Sequence, residues 1–98
     1  MITLETRTTI PEGVLFRDLG GEAVLLELAT GSYFGLDEVG VRIWALLSRH
    51  RQVGRVLAAL REEYAVDEEQ LHRDLVDFVD QLARHRLLAI DDADAPEA

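Results

Sequence analysis

The stretch Leu25 to Trp44, LLELATGSYFGLDEVGVRIW, constrains the fold more than any other part of the chain. It reads as strand, tight turn, strand and helix start within twenty residues. Val24, Leu26 and Leu28 alternate with Ala23, Leu25 and Glu27, the period-two pattern of a strand with two distinct faces. Ala29-Thr30-Gly31-Ser32 closes the turn, and Gly31 is free to take positive φ there. Tyr33 to Leu36 then returns as the third strand of a meander whose first strand is Val14 to Leu19. Phe34 and Leu36 share the core face, and Tyr33 and Gly35 share the other. Asp37 is placed to cap a helix from Glu38 to about Ser48.

The helical pattern continues to the end of the domain. Val39, Ile43 and Leu47 lie four apart, with Trp44 and Leu46 widening the stripe. Arg49 to Gln52 interrupt it. Val53, Val56, Leu57 and Leu60 define a second helix. Asp67 followed by Glu68-Glu69-Gln70 predicts a capping box, Asp67 taking the N3 amide while Gln70 reaches back. The third helix runs on to about Arg86 with Leu71, Leu75, Phe78 and Leu82 as its core line. Val76, Val79 and Ala83 make that apolar surface wider than one neighbour requires. Strands followed by helices give an α+β domain, a small winged helix-turn-helix-like fold of three-stranded meander and three helices. Residues 1–12 frame it as a segment that frays or adds an edge strand. Residues 13–90 are the domain, with Leu87 to Ile90 as a short extended segment, and residues 91–98, DDADAPEA, are an acidic, disordered tail.

Charge and composition exclude several classes of function. Nineteen acidic against ten basic residues give a net charge of -9 in 98 residues, with no cysteine. A duplex-nucleic-acid binder needs a basic face to release counterions, and none is present. The densest basic cluster, Arg49-His50-Arg51 with Arg55, reads as a helix C-terminus answering the dipole, against a phosphate site as the other reading. The absence of cysteine excludes a disulfide scaffold and fits a cytoplasmic protein. No apolar run is long enough for a membrane span, and the N-terminus is not a signal peptide.

No set of residues converges on catalysis. His72 and His85 are about 20 Å apart along one helix and cannot share a metal ion. Ser32 and Ser48 lie in no nucleophile elbow. Gly31-Ser32-Tyr33-Phe34-Gly35 has no phosphate-loop lysine and reads as a hairpin. Most carboxylates fall on the polar side of the third helix. Asp74 flanks its core line, either as a solvated charge or as a partner for a basic group or amide of a ligand. Tyr33 either lines a peptide groove or lies under the N-terminal segment.

The residues also resemble a known family. Leu25-Leu26-Glu27-Leu28, Thr30 to Gly40, Ile43-Trp44, Val53 to Tyr64, Asp67, Asp74-Leu75, Phe78-Val79 and Leu82 together resemble the PqqD-like family over about residues 13–90. Asp37 stands where that family usually has asparagine, and both residues cap helices. The resemblance implies a non-catalytic, cofactor-free, stand-alone element that recognises the leader of a ribosomally made precursor peptide, closest to the lasso-peptide type. Such domains add the leader as a strand beside the third strand, against the third helix, for a cysteine protease, cyclase or radical enzyme. The implied site is Ser32, Tyr33, Phe34, Gly35 and Leu36 with Leu71, Asp74, Leu75, Phe78, Val79 and Leu82. A chaperone of pyrroloquinoline quinone biosynthesis and a winged-helix regulator or interaction module are the alternatives. The chain is then a monomer or a homodimer paired through the same edge.

Overall fold

In a computed structural model, which describes residues 2–91, the meander comes first and the helices close over one of its faces. The strands are β1 (Arg7–Thr9), β2 (Val14–Asp18), β3 (Ala23–Glu27) and β4 (Ser32–Leu36). The helices α1 (Glu38–His50), α2 (Val53–Glu63) and α3 (Glu68–Arg84) follow, and β5 (Ala89–Asp91) ends the described chain. β2, β3 and β4 form an antiparallel sheet in that order, so β4 is an edge strand. The α+β architecture is the one the sequence implies.

The register decides what faces the core. Ala23 pairs with Leu36 and Leu25 with Phe34. Ala23, Leu25 and Leu36 are buried, and Phe34 is half-buried. Trp44 and Leu47 of α1, Val56 and Leu60 of α2, and Leu75 and Val79 of α3 meet them in one core. Each such aliphatic side chain contributes about 1.5–3 kcal/mol on burial. The hairpin is closed by Glu27, whose Oε1 accepts from Thr30 Oγ1 at 2.7 Å and whose Oε2 accepts from Ala29 N–H. Gly31 takes φ +77.

Helix ends differ in how they are capped. Asp37 Oδ1 accepts from Gly40 N–H at 2.8 Å, as its position predicts. The capping box at α3 does not form. Asp67 makes no side-chain cap bond, and Gln70 Nε2 instead donates forward to Asp74 Oδ1 at 2.9 Å. That contact joins residues one turn apart on the same helix face, a geometry open to glutamine once the helix is formed. Glu68 and Glu69 still answer the dipole of α3.

The two ends of the described part meet. β1 does not extend the meander; it pairs with β5 in a separate two-stranded sheet, Arg7 opposite Asp91. Asp91, assigned by the sequence to the acidic tail, is thus the last residue of β5, and residues 92–98 lie outside the described part. The N-terminal segment also bonds to α2: Val53 N–H donates to Thr6 O and Gly54 N–H to Leu4 O at 2.8 Å. A Cβ on Gly54 would stand 2.8 Å from Leu4 O. Gly54→Ala is therefore expected to lift residues 2–8 from α2. The expected cost is about 1–3 kcal/mol, read as a lower denaturant midpoint with faster amide exchange at Val53 and Thr8.

Arg42 on α1 holds Glu63 at the end of α2 through two hydrogen bonds, Nε to Oε1 at 2.7 Å and Nη2 to Oε2. These bonds hold the Glu63 carboxyl below its ordinary range. A lowered folded value means the pair's contribution is complete above the unfolded glutamate pKa and is lost as pH falls through the folded one. Glu63→Gln should flatten that part of the acid side of the stability profile, measured by urea melts between neutral and acid pH.

Candidate functional site: a groove beside the free edge of β4

β4 has β3 on one side and no strand on the other among the described residues. Its inner-face residues are tied to the core through Leu36, while alternate backbone groups remain available along the open edge. Beside that edge runs a cavity of about 380 Å³. Phe34, Gly35 and Leu36 form one wall, Val39, Gly40 and Ile43 of α1 close the end, and Asp74, Phe78 and Gln81 of α3 form the opposite wall. The edge offers hydrogen-bonding groups, the floor is apolar, and the α3 rim carries a carboxylate and an amide. This is the geometry in which an extended peptide bonds through its backbone and inserts alternate side chains.

The sequence-derived residues separate into three groups. Phe34, Gly35, Leu36, Asp74 and Phe78 come together in the groove. Leu75, Val79 and Leu82 are fully buried and Leu71 nearly so; all four pack the core beneath α3 and do not line the groove. Ser32 and Tyr33 belong to the edge strand, but their side chains point elsewhere. Ser32 is part of the hairpin turn, its N–H donating to Thr30 Oγ1. Tyr33, 75% exposed, stands on the outer sheet face with Leu15, Val24 and Leu26. It neither lines the groove nor lies under the N-terminal segment.

The wide apolar surface of α3 explains the difference. It serves three neighbours at once. Leu75 and Val79 face the core, Val76 and Ala83 face a hollow shared with Ile2 and Ile90 of the chain ends, and Phe78 faces the groove. Half-buried Phe78 is therefore the aromatic of α3 that a ligand can reach. Asp74, whose Oδ1 accepts from Gln70, is held at the rim by a neighbour on its own helix. Phe34 is braced at the far side by His85, ring centroids 5.4 Å apart and tilted by 55°.

The α1 contribution was not anticipated. Val39 begins the stripe that the sequence assigns to the core, yet it is 45% exposed because the first turn of α1 projects past the sheet into the groove. Gly40, one residue on, is buried, and a Cβ there would sit 3.3 Å from the capping Asp37 Oδ1 and 3.4 Å from Leu36. Gly40 at a capped helix start was the one readable sign that backbone approaches closely here.

Among the described residues no group of His, Asp and Glu could hold a metal ion. No described helix is long and apolar enough to cross a membrane.

Known proteins are similar to this chain. The family model described as coenzyme PQQ synthesis protein D matches residues 22–88. Among solved structures the chain is similar to TbiB1 in complex with the TbiA(beta) leader peptide. The two are 44% identical with a TM-score of 0.76, and the match covers 82% of this chain and 93% of that one. No curated protein sequence matches this chain. The matched span contains the β3–β4 hairpin, all three helices and both walls of the groove, and the chain belongs to the PqqD family.

Proposed function

We propose that this chain is a non-catalytic recognition protein for the leader of a ribosomally synthesised precursor peptide, which it presents to a processing enzyme. The leader adds as a strand to the free edge of β4 and lays apolar side chains onto Phe34, Val39, Ile43 and Phe78. The observation that carries this reading is the coincidence of an unpaired strand edge with an apolar groove walled by α3, in a chain 44% identical to a protein solved with a leader peptide. Backbone pairing supplies affinity with little sequence preference, and the groove selects side chains. Asp74 and Gln81 at the rim favour a leader that places a basic group or an amide donor beside its apolar anchors.

The pathway we infer is of the lasso-peptide type, with pyrroloquinoline quinone biosynthesis as the alternative. The processing partner is then a leader protease or cyclase working in the same compartment, with cytoplasm as the expected location. The third helix argues against a DNA-reading role, since Glu68, Glu69, Asp74, Asp77 and Asp80 outnumber Arg73 and Arg84 on it.

Calorimetric titration with the TbiA(beta) leader, and with the synthetic leader of a short precursor gene if one neighbours the gene for this chain, tests the proposal. One-to-one binding that survives moderate salt and is lost when the leader's apolar anchors become alanine is expected. A folded protein that binds neither leader would contradict it.

A further inference from the structure

Any strand that joins the free edge of β4 carries two rows of side chains, because successive residues of a strand point to opposite faces. One row faces the groove between β4 and α3. The other must lie on the outer face of the sheet, next to the outward row of β4. That outward row is Tyr33 and Gly35. Tyr33 pairs with Leu26 of β3 and Gly35 with Val24, so the four residues make one patch across two strands. Tyr33, Val24 and Leu26, with Leu15 of β2 behind them, line a hollow of about 520 Å³ in which Arg17 is the one charged lining residue. All its lining residues belong to the meander, and none is shared with the β4 groove.

Two features separate this patch from an ordinary solvated sheet face. Tyr33 stands 75% exposed at the margin of the sheet, where the next strand would lie, while Val24 and Leu26 behind it are half-buried. Beside it, Gly35 has no local reason to be glycine. It is not among the glycines of positive φ, and a Cβ there would meet no heavy atom within 4 Å. Glycine inside a strand weakens it, and it often marks a place where another chain approaches closely. Gly35 thus leaves an open notch between Tyr33 and the edge that an incoming strand would pair with.

The spacing of strands sets what fits this notch. Neighbouring strands are about 4.8 Å apart, so a residue opposite Gly35 on an added strand stands about 10 Å from Val24. A small side chain leaves that gap open. An aromatic or long aliphatic one crosses the glycine, meets Val24 and packs against Tyr33 as a diagonal neighbour. Arg17, one strand further on, lies out of its reach.

We propose, on the reading that a leader pairs with β4, that Tyr33, Gly35 and Val24 form a second subsite on the outer sheet face, which takes one aromatic or large aliphatic side chain from the leader's outward row. The leader is then held from both faces of the sheet. Its outward anchor covers Gly35, as aromatic neighbours cover edge glycines in other sheets. Its groove anchor meets Phe78, and the two anchors are separated by an odd number of leader residues.

The test is an alanine scan of the TbiA(beta) leader by calorimetry against the wild-type chain, Tyr33→Ser, Tyr33→Phe and Phe78→Ala. In the wild-type chain, sensitive leader positions of both parities are expected. Tyr33→Ser should keep the wild-type urea midpoint and bind the leader roughly three- to tenfold more weakly, while Tyr33→Phe, which keeps the ring, stays within about twofold. One leader position should cease to respond to alanine in Tyr33→Ser, and another, an odd number of residues away, in Phe78→Ala. If Phe78→Ala weakens binding and Tyr33→Ser does not, the outer subsite is overturned and the groove stands. Wild-type losses confined to one parity, or the same leader position silenced by both variants, overturn it equally. A folded wild-type chain that binds no leader removes the leader-binding reading itself, and the subsite with it.

Discussion

Val79→Glu is expected to leave the chain unfolded, while Phe78→Glu on the same helix leaves it folded and unable to bind a leader. The two residues are adjacent in sequence, and both lie on the apolar surface of α3. Val79 is 0% exposed, against the core formed by Leu25, Leu47 and Leu60. A carboxylate there has no partner, and an uncompensated buried charge costs several kcal/mol. A domain of this size has about 5–15 kcal/mol to lose, so the loss takes most or all of its stability. Phe78 is half-buried at the mouth of the groove, where a glutamate side chain can reach water. Circular dichroism and urea melts should separate the two variants. Leader affinity in folded Phe78→Ala should fall by about 2–4 kcal/mol, the range for a central aromatic anchor, which is some 30- to 1000-fold. Wild-type affinity in Phe78→Ala would remove α3 from the binding wall.

The second large effect concerns the backbone of β4. Prolines introduced singly at 33, 34, 35 and 36 should fall into two alternating classes. Where the replaced N–H bonds β3, the hairpin loses a ladder bond and leaves its carbonyl partner unsatisfied, a loss of about 1–3 kcal/mol. Where it faces the open edge, the fold survives, because an edge strand tolerates proline on its free side. That second class should nevertheless lose leader binding by tenfold or more, through one lost hydrogen bond and the clash of the ring with an incoming strand. Thermal melts and calorimetry on the same four proteins read both classes. Unchanged affinity in the variants of the stable, edge-facing class would mean that the edge is not where the leader lies.

Local chemistry made much of this legible from the sequence. The hairpin followed from alternation around Gly31, and the start of α1 from Asp37, each a decision taken within a few residues. What the sequence did not resolve required tertiary context. The apolar breadth of α3 was visible, but its division among core, chain ends and groove depended on the paths of β1 and β5, which no periodicity describes. Leu75, Val79 and Leu82 therefore looked like candidate ligand contacts when they are core. Val39 looked like core and is groove, because helical spacing gives a residue's face but not what that face meets. Gln70 had two polar partners within reach, and the forward one on its own helix prevailed.

The central claim is that an extended leader pairs with the open edge of β4. Amide hydrogen exchange of Ser32 to Leu36, measured by nuclear magnetic resonance with and without saturating leader, tests it most directly. The account predicts that alternate amides of β4, those not already bonded to β3, become strongly protected in the complex, while Leu15 to Arg17 on the opposite edge strand do not change. Protection confined to β2, or none at all along β4 in a protein that binds its leader, would contradict it.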